Sequence, residues 1–321
     1  MVSAEPRHQP TDNPVAPGFW AKTGWGDIVV ALDGTVKSRD ALTWAAGLAS
    51  VTGARIRLVH ALTSRESARS LERLHGRRLL RSARRELFGL DPRIAIDSIL
   101  TDDPIASVLG ALSHTADLIV IGGRESGPIR DVLFGRNATR IVEESSCPVL
   151  VWRPQHADLT PTSPVVVGVD HSDSCTRAIE AAFWFADALE VPLTALHVGS
   201  PHRRPVTNDA ELEQIRALEW LGGRLDAAKS MHPTVDVHLH LLDASAEHEL
   251  RLASATAHLL VVGSRGHGPW TGPFTGSVGQ SLVHASGCPI LVVRRVLELP
   301  TALRSSGPCA LPDPLLDAGD S

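Results

Sequence analysis

Two hydrophobic patterns alternate along the chain. Short apolar runs, such as residues 165–169 and 259–262, have the length of strands that are buried on both faces of a sheet. Between such runs lie longer segments in which apolar residues recur at helical spacing, as they do at Ala178, Ala182 and Phe185. Strands that alternate with helices predict right-handed crossovers and a parallel sheet with helices on both faces.

The whole pattern occurs twice. Residues 118–151 align with residues 259–292 without a gap, at a constant offset of 141. The aligned pairs include Gly122 with Gly263, Gly135 with Gly276 and Cys147 with Cys288. Fixed glycines over so long an ungapped stretch indicate an internal repeat. Each copy is therefore predicted to be a doubly wound α/β domain with a five-stranded parallel sheet.

The repeat divides the chain into five predicted segments. These are a disordered tail at 1–24, a first domain at 25–153, a linker at 154–163, a second domain at 164–295 and a disordered tail at 296–321. The linker and tails are rich in proline and small polar residues, which favours irregular structure.

The composition excludes several classes of protein. The 321 residues carry a formal net charge of −5, include no tyrosine and are only 4% aromatic, which argues against a protein that coats nucleic acid or an anionic membrane. No apolar run approaches the ~20 residues that span a bilayer, and the first residues lack the apolar core of a signal peptide. Four cysteines without a C-x-x-C pair indicate reduced thiols, of which Cys147 and Cys288 are expected to be inert. We expect a soluble cytoplasmic protein with neither membrane nor nucleic acid as a partner.

A glycine-rich stretch follows the fourth predicted strand of the second half. Its pattern, G-x2-G-x9-G-[ST], consists of Gly263, Gly266, Gly276 and Ser277, and Arg265 is the cation inside it. Gly263 and Gly266 are expected to adopt positive φ and to present backbone N–H groups, while Gly276 and Ser277 open a helix whose N-terminus favours an anion. The spacing predicts a phosphate cradle, although glycines after a strand also serve as ordinary turn residues. Neither the Walker lysine nor the dinucleotide fingerprint is present.

An aspartate ends the first predicted strand of each half, at Asp33 and Asp170. Ligands of doubly wound sheets bind beyond the carboxyl ends of strands where the strand order reverses, so Asp170 and the glycine stretch are expected on one crevice. Aspartate is also a good N-cap, and capping the next helix is an alternative role that is compatible with binding.

These residues carry a resemblance to a known family. Residues 261–294 closely resemble the nucleotide-binding signature of universal stress proteins. Asp33-Gly34-Thr35, followed by Ser38, resembles the start of the family's D-G-S-x-x-S-x-x-A pattern. The second half matches that pattern with two departures, His171 in place of glycine and Cys175 in place of serine. Both halves resemble the family's domain, so the chain looks like a tandem member.

The resemblance implies an adenine-nucleotide alpha hydrolase-like fold and ATP as the ligand. Asp170 would accept hydrogen bonds from the ribose hydroxyls, and residues 196–198, with His197 among them, would flank the adenine. The phosphates would be bound by Gly263, Gly266, Gly276 and Ser277, with Arg265 nearby. Mg²⁺ is an optional cofactor that would bridge the phosphates, and no dedicated metal site is expected.

The first half departs from the family pattern. Its equivalent positions are Asp33, Gly122, Glu125, Gly135 and Arg136. The Glu125 carboxylate would repel a phosphate, whereas the Arg136 guanidinium could pair with one. We expect this degenerate site to bind ATP weakly or not at all, and the first half to be retained as a structural and dimer-forming copy.

The sequence does not predict an efficient enzyme. Fast phosphoryl transfer needs a charge clamp and a metal-holding carboxylate, and neither a Walker lysine nor a nucleophilic triad is recognisable. We expect ATP binding with slow or absent hydrolysis, in a stress-response regulator whose nucleotide tunes conformation or partner choice. The alternative is an interaction module with a vestigial site. A nucleotide-using ligase or transferase is more distant, because its characteristic loops are absent.

Four histidines have plainer interpretations than catalysis. His238 and His240 share one face of a strand, as metal ligands do, but without neighbouring ligand spacing a solvated face is favoured. His60 and His197 end equivalent strands and are typical of partly buried structural histidines.

Residues 64–89 are predicted to form a strongly basic helix. Such a helix could contact nucleic acid or an acidic partner. The glutamates interspersed in it and the negative charge of the whole chain favour a solvated outer face instead.

The last strand of each half, at residues 147–152 and 288–293, is apolar to its end. A sheet edge of this kind needs to be covered. We expect either intramolecular pairing of the two halves or a homodimer to cover it.

Overall fold

The computed structural model describes residues 25–63, 69–123, 131–154, 159–160, 162–172, 174–199, 210–264 and 277–294. The predicted tails at 1–24 and 296–321 lie outside the described residues, as does half of the predicted linker.

The first half alternates strands and helices as predicted. Its strands are β1 (Asp27–Ala31), β2 (Arg55–Ala61), β3 (Ile96–Thr101), β4 (Ala116–Gly122) and β5 (Val149–Trp152). Its helices are α1 (Val36–Thr52), α2 (Arg69–Leu90), α3 (Ile105–Leu112) and α4 (Asp131–Glu144).

The second half repeats this order. Its strands are β6 (Val165–Gly168), β7 (Leu193–Gly199), β8 (Val237–Asp243), β9 (Leu259–Gly263) and β10 (Ile290–Val293). Its helices are α5 (Ser174–Leu189), α6 (Ala210–Met231), α7 (Ala246–Ser254) and α8 (Ser277–Ala285).

All ten strands belong to one sheet, in the order β3-β2-β1-β4-β5-β10-β9-β6-β7-β8. Pairing within each half is parallel, which confirms the predicted α/β fold. The two halves meet through β5 and β10, which run antiparallel with Leu150 opposite Leu291. The apolar last strands therefore cover each other by intramolecular pairing, one of the two expected arrangements. Strands β3 and β8 form the outer edges.

The sheet is buried on both faces. One apolar cluster lies between the sheet and helices α1, α2, α5 and α6, and includes Leu42, Leu87 and Phe183. The other lies between the sheet and helices α3, α4, α7 and α8, and includes Leu109 and Leu282. Burial on both faces explains why the strands read as continuous apolar runs instead of alternating ones.

Candidate functional site

The carboxyl ends of β6 and β9 lie side by side in the second half. The two strands are parallel neighbours, and Val167 is paired with Val261. Helix α5, which follows β6, packs on one face of the sheet, whereas α8, which follows β9, packs on the other. A point where successive connections leave on opposite faces is the usual ligand site of an open α/β sheet. The fold brings Asp170, just past β6, and Gly263, the last residue of β9, to this point.

A short turn fixes the Asp170 carboxylate. Its Oδ1 accepts the backbone N–H of Ser172 at 2.9 Å and the Ser172 hydroxyl at 2.5 Å. Both bonds use the same oxygen, and among the described residues Oδ2 has no hydrogen-bond partner in the turn. Asp170 is half-buried. A carboxylate with a fixed orientation and a second oxygen outside its turn is suited to accept the hydroxyls of a ligand.

Helix capping does not explain the equivalent aspartate of the first half. The N-cap of α1 is Thr35, whose side chain accepts the N–H of Ser38. Asp33 lies two residues earlier, and its Oδ1 accepts the N–H and the hydroxyl of Thr35 at 2.9 and 2.6 Å. The capping interpretation is therefore wrong for Asp33, which shapes the turn before the helix.

Three aromatic rings hold the second-half turn against α6. The His171 ring lies 4.0 Å from the Trp220 ring, centroid to centroid, and the His197 ring lies 4.9 Å from Trp220. The Nδ1 of His197 donates to the carbonyl oxygen of Val169 at 2.8 Å, which ties the end of β7 to the end of β6. The sequence reasoning noticed His171 only as a departure from glycine and missed its contact with Trp220.

The equivalent histidine of the first half makes the same strand-to-strand bond. His60 Nδ1 donates to the carbonyl oxygen of Leu32 at 2.6 Å. His60, however, faces Gly76 of α2 and not an aromatic ring. A β-carbon added at Gly76 would lie 2.8 Å from the His60 ring. The bond common to His60 and His197 is structural, as the sequence suggested, whereas the packing of His171 and His197 against Trp220 belongs to the second half.

A half-buried arginine also supports the second-half turn. Arg224 of α6 donates from Nη2 to the carbonyl oxygen of Ser172 at 3.1 Å. Its Nε is buried, and among the described residues it has no hydrogen-bond partner. Burial raises the pKa of the neighbouring Cys175 thiol, and the Arg224 charge acts in the opposite direction. Arg224 thus brings a positive charge to the turn that contains Asp170 and Ser172, a contact that the sequence does not reveal.

The first-half turn is more open. Asp33 is exposed, whereas Asp170 is half-buried. Gly34 has a φ of +83°, whereas His171 at the same turn position is not among the described residues with positive φ. A cavity of about 20 Å³, room for about one water molecule, lies between this turn and α2. The two halves therefore share the aspartate turn but differ in what surrounds it.

The first glycine of each glycine stretch has a different role from the expected one. Gly263 and Gly122 end strands, and the described glycines with positive φ are Gly34 and Gly53, so the expectation of positive φ at Gly263 is wrong. At Gly122 an added β-carbon would lie 2.9 Å from the backbone nitrogen of Ser38. In the first half, glycine at this position therefore permits the close approach of the strand end to α1.

The remaining predicted site residues are only partly described. Arg265, Gly266, Gly276 and Glu125 lie outside the described residues. Ser277 is the first described residue of α8. Gly135 and Arg136 lie inside α4, which begins earlier, at Asp131.

Other candidate features are unremarkable chemically. Among the residues whose positions are described, no three His, Cys, Asp or Glu side chains form a group that could bind a metal ion. His238 and His240 are exposed on β8, and His238 lies 3.2 Å from the Asp236 carboxylate. Within the described residues, every helix is too short or too polar to span a bilayer.

Comparison with known proteins gives a consistent result for both halves. Residues 24–153 and 162–294 each match the family model described as the universal stress protein family. A universal stress protein of Mycolicibacterium smegmatis is 29% identical over 286 residues, which covers 83% of this chain and 96% of the relative. One from Mycobacterium tuberculosis is 27% identical over 299 residues, with 84% and 97% covered.

A solved structure supports the fold. A universal stress protein from Archaeoglobus fulgidus matches with a TM-score of 0.62 at 19% identity, covering 84% of this chain and 96% of that one. A universal stress protein solved in complex with cAMP is 24% identical and covers 42% of this chain and 98% of its own, with a TM-score of 0.34.

Proposed function

Since the chain belongs to the universal stress protein family and carries the family's domain twice, we propose that its second half binds ATP between the ends of β6 and β9. The nucleotide acts as a ligand that tunes conformation or partner choice, in a cytoplasmic stress-response regulator. The observation that carries the proposal is the Asp170 carboxylate, which Ser172 fixes through one oxygen at the switch point of the sheet.

The chemistry of the described residues suits a nucleotide. Asp170 Oδ2 would accept ribose hydroxyls, and charge-assisted bonds of this kind are the stronger ones. Ser277 is the first described residue of α8, and if the helix opens there, as the glycine spacing predicts, its free N–H groups would favour phosphate. The spacing of the glycine stretch, with Gly266 and Gly276, supports the same placement of the phosphates.

The second half is the favoured site because its turn is preorganised. Trp220 packs against both His171 and His197, and Arg224 bonds the Ser172 carbonyl, so fewer groups need to be ordered on binding. The first half has an exposed Asp33 and a glutamate, Glu125, in its glycine stretch. The first half would then serve as the structural partner of the second.

Hydrolysis is expected to be slow or absent. The glycine stretch has no Walker lysine, and the described residues contain no cluster of metal ligands. Any Mg²⁺ would therefore be bound mainly by phosphate oxygens and water. Such a site favours binding over catalysis, since fast phosphoryl transfer needs a fixed metal and a charge clamp.

Calorimetry on the full chain tests the proposal directly. ATP, AMP and cAMP are titrated into the native protein and into the variants Asp170→Asn, Gly266→Glu and Asp33→Asn. We expect one ATP per chain, with affinity reduced at least about tenfold by Asp170→Asn, since a bond to a charged group contributes about 1.5–3 kcal/mol. Asn keeps an oxygen for Ser172, so the turn is retained while the charge is lost. Gly266→Glu copies the first half and should abolish binding.

Asp33→Asn is the matched control and should leave the ATP affinity unchanged. Equal losses in Asp33→Asn and Asp170→Asn would contradict the assignment of the second half. If no nucleotide raises the melting temperature of the native protein at saturating concentration, the interaction-module alternative is correct, because a ligand that binds only the folded state must stabilise it. Phosphate release above about 1 per second would refute the binding-only role.

A further inference from the structure

Helix α2 is the most basic element among the described residues, whereas α6, the equivalent helix of the second half, is not basic. Helix α2 contains seven arginines and two glutamates, a formal net charge of +5. Helix α6 contains three basic and four acidic residues. The whole chain has a net charge of −5, which leaves −10 outside α2. The positive charge is therefore concentrated on one helix of one half.

The carboxylates around α2 are already engaged. Glu72 accepts the N–H and the hydroxyl of Thr63, and Glu86 lies 3.7 Å from Arg39. Asp102 pairs with two arginines of the helix, Arg69 and Arg73.

Five other arginines of α2 are exposed, and in the described part of the chain they have no ion-pair partner. They are Arg77, Arg78, Arg81, Arg84 and Arg85. Since they recur at short spacing on one helix, they repel each other, and this repulsion is relieved when an anionic partner binds.

The C-terminal part of α2 borders an open groove. Arg84, Arg85 and Phe88 of α2 and Ile96 of β3 line it, and its volume is about 330 Å³. Phe88 is 65% exposed, which is unusual for so large an apolar side chain. Strand β3 is an outer strand of the sheet, and none of the described strands pairs with its far side, which leaves backbone N–H and C=O groups available next to Ile96. We call these four residues the basic groove.

We propose that the basic groove docks an acidic segment of a partner protein, bound in extended form along the edge of β3. Main-chain bonds to the strand edge give such a segment its register, and alternate side chains reach the groove. Its carboxylates pair with Arg84 and Arg85, whose planar guanidinium groups match carboxylate geometry. Its apolar side chains cover Phe88 and Ile96. This surface is independent of the nucleotide site proposed above.

A protein segment is favoured over nucleic acid for two reasons. The groove combines charge with an apolar floor and a strand edge, which a phosphate backbone does not use. The rest of the chain is strongly acidic and would repel a long polyanion that extends beyond the groove.

Fluorescence anisotropy with the full chain tests the proposal. The probe is a labelled peptide of alternating glutamate and valine, and the control probe alternates glutamine and valine. We expect the acidic probe to bind, with affinity reduced at least about tenfold in Arg84→Glu/Arg85→Glu, because close charge reversal at an interface costs more than 1.4 kcal/mol. The control variant Arg216→Glu/Arg251→Glu changes the net charge by the same amount at exposed residues of the second half. It should have little effect on the affinity for the acidic probe.

Further measurements distinguish the possible ligands of the basic groove. Phe88→Ser should lower the affinity for the acidic probe severalfold. An unchanged affinity would mean that the probe is held by nonspecific charge attraction alone, and would overturn the proposal of docking in the basic groove. Duplex DNA that binds at least as tightly as the peptide, and equally depends on Arg84 and Arg85, would overturn the protein partner. So would concentration-dependent dimerisation that Arg84→Glu/Arg85→Glu abolishes, since the occupant would then be a second copy. Asp170→Asn should leave peptide binding intact whether or not ATP binds.

Discussion

The guanidinium of Arg294, just past β10, donates from Nη1 to the carbonyl oxygen of Ser145 at 2.6 Å, and the same nitrogen donates to the carbonyl oxygen of Glu143. The second half thereby caps the end of α4 in the first half. The reciprocal bond is present as well, since Arg153, just past β5, donates to the carbonyl oxygen of Val283 in α8 at 2.5 Å. A cation at the C-terminus of a helix also complements the helix dipole. Each half therefore depends on the other for a helix cap.

Removing either cap should destabilise the protein. Arg294→Ala leaves the carbonyl oxygens of Glu143 and Ser145 without their charged donor, and a lost bond of this kind costs about 1.5–3 kcal/mol. Arg153→Ala should cost about as much, because it removes the matching bond. Urea unfolding followed by circular dichroism measures both. The exposed Arg251→Ala is the control and should change the free energy of unfolding by less than about 0.5 kcal/mol. Arg294→Ala with wild-type stability would show that strand pairing alone joins the halves.

The sequence predicted that the apolar ends of β5 and β10 would be covered, but not by which partner. The repeat and the apolar runs predict each five-stranded half, because a strand that is buried on both faces has a continuous run of apolar residues. The choice between an intramolecular contact and a second chain depends on side chains that meet only after folding. Arg153 and Arg294 occupy equivalent places in the repeat, and their carbonyl partners cannot be recognised from residue type.

Gly76→Ala should destabilise the protein although alanine favours helices. A β-carbon at this position of α2 would lie 2.8 Å from Cδ2 of His60 and 2.8 Å from Cδ1 of Leu100. His60 is tied to Leu32 and cannot easily move, so α2 must shift from the sheet, which we expect to cost about 1–3 kcal/mol. Urea unfolding gives the change.

Gly222→Ala on α6 is the matched control for this prediction. Nothing lies within 4 Å of a β-carbon added there. The substitution should therefore stabilise the protein by up to about 1 kcal/mol through helix propensity. If both alanine variants are stabilised, the close contact between α2 and His60 does not limit the packing of the helix.

The buried thiols should make the fold sensitive to alkali. Burial raises the pKa of Cys147 and of Cys288 from 9.0 to about 12. Between these values the unfolded chain releases protons that the folded chain retains, so the free energy of unfolding falls as the pH rises from about 9 to 12 and is unaffected below that window. The chain has no tyrosine, which removes one usual contribution in this range.

Urea midpoints at pH 8 and pH 10 measure this effect. The double variant Cys147→Ala/Cys288→Ala should show a smaller fall between the two pH values than the wild type. An equal fall would assign the alkaline sensitivity to other groups. Native alkylation by iodoacetamide at pH 8 should also spare both cysteines, since the thiolate is the reactive form.

The sequence singles out Asp170 as a candidate site residue, but it does not reveal the residues that hold the Asp170 turn in place. Asp170 stands out because it ends an apolar run at the predicted switch point, a feature of local sequence. Trp220 and Arg224 lie on a helix far along the chain, and their contacts with His171 and Ser172 arise only when α6 packs against α5. Positive φ was expected at Gly263, but a glycine at a strand end can instead permit close packing, as Gly122 does in the first half. Sequence pattern alone does not distinguish the two.

Exchange of the residue after the aspartate should destabilise both aspartate turns, but for opposite reasons. His171→Gly removes the ring that packs on Trp220 and adds freedom to the unfolded chain, so we expect a loss of about 1–2 kcal/mol. Gly34→Ala places a β-carbon at a φ of +83°, which should cost about 1–2 kcal/mol for the opposite reason, a strained folded state. Urea unfolding compares them, with His171→Phe as a ring-retaining control that should recover most of the loss. If Gly34→Ala is neutral, the first-half turn relaxes to the backbone of the second. The difference between the halves would then lie in Trp220 and Arg224 rather than in the turns themselves.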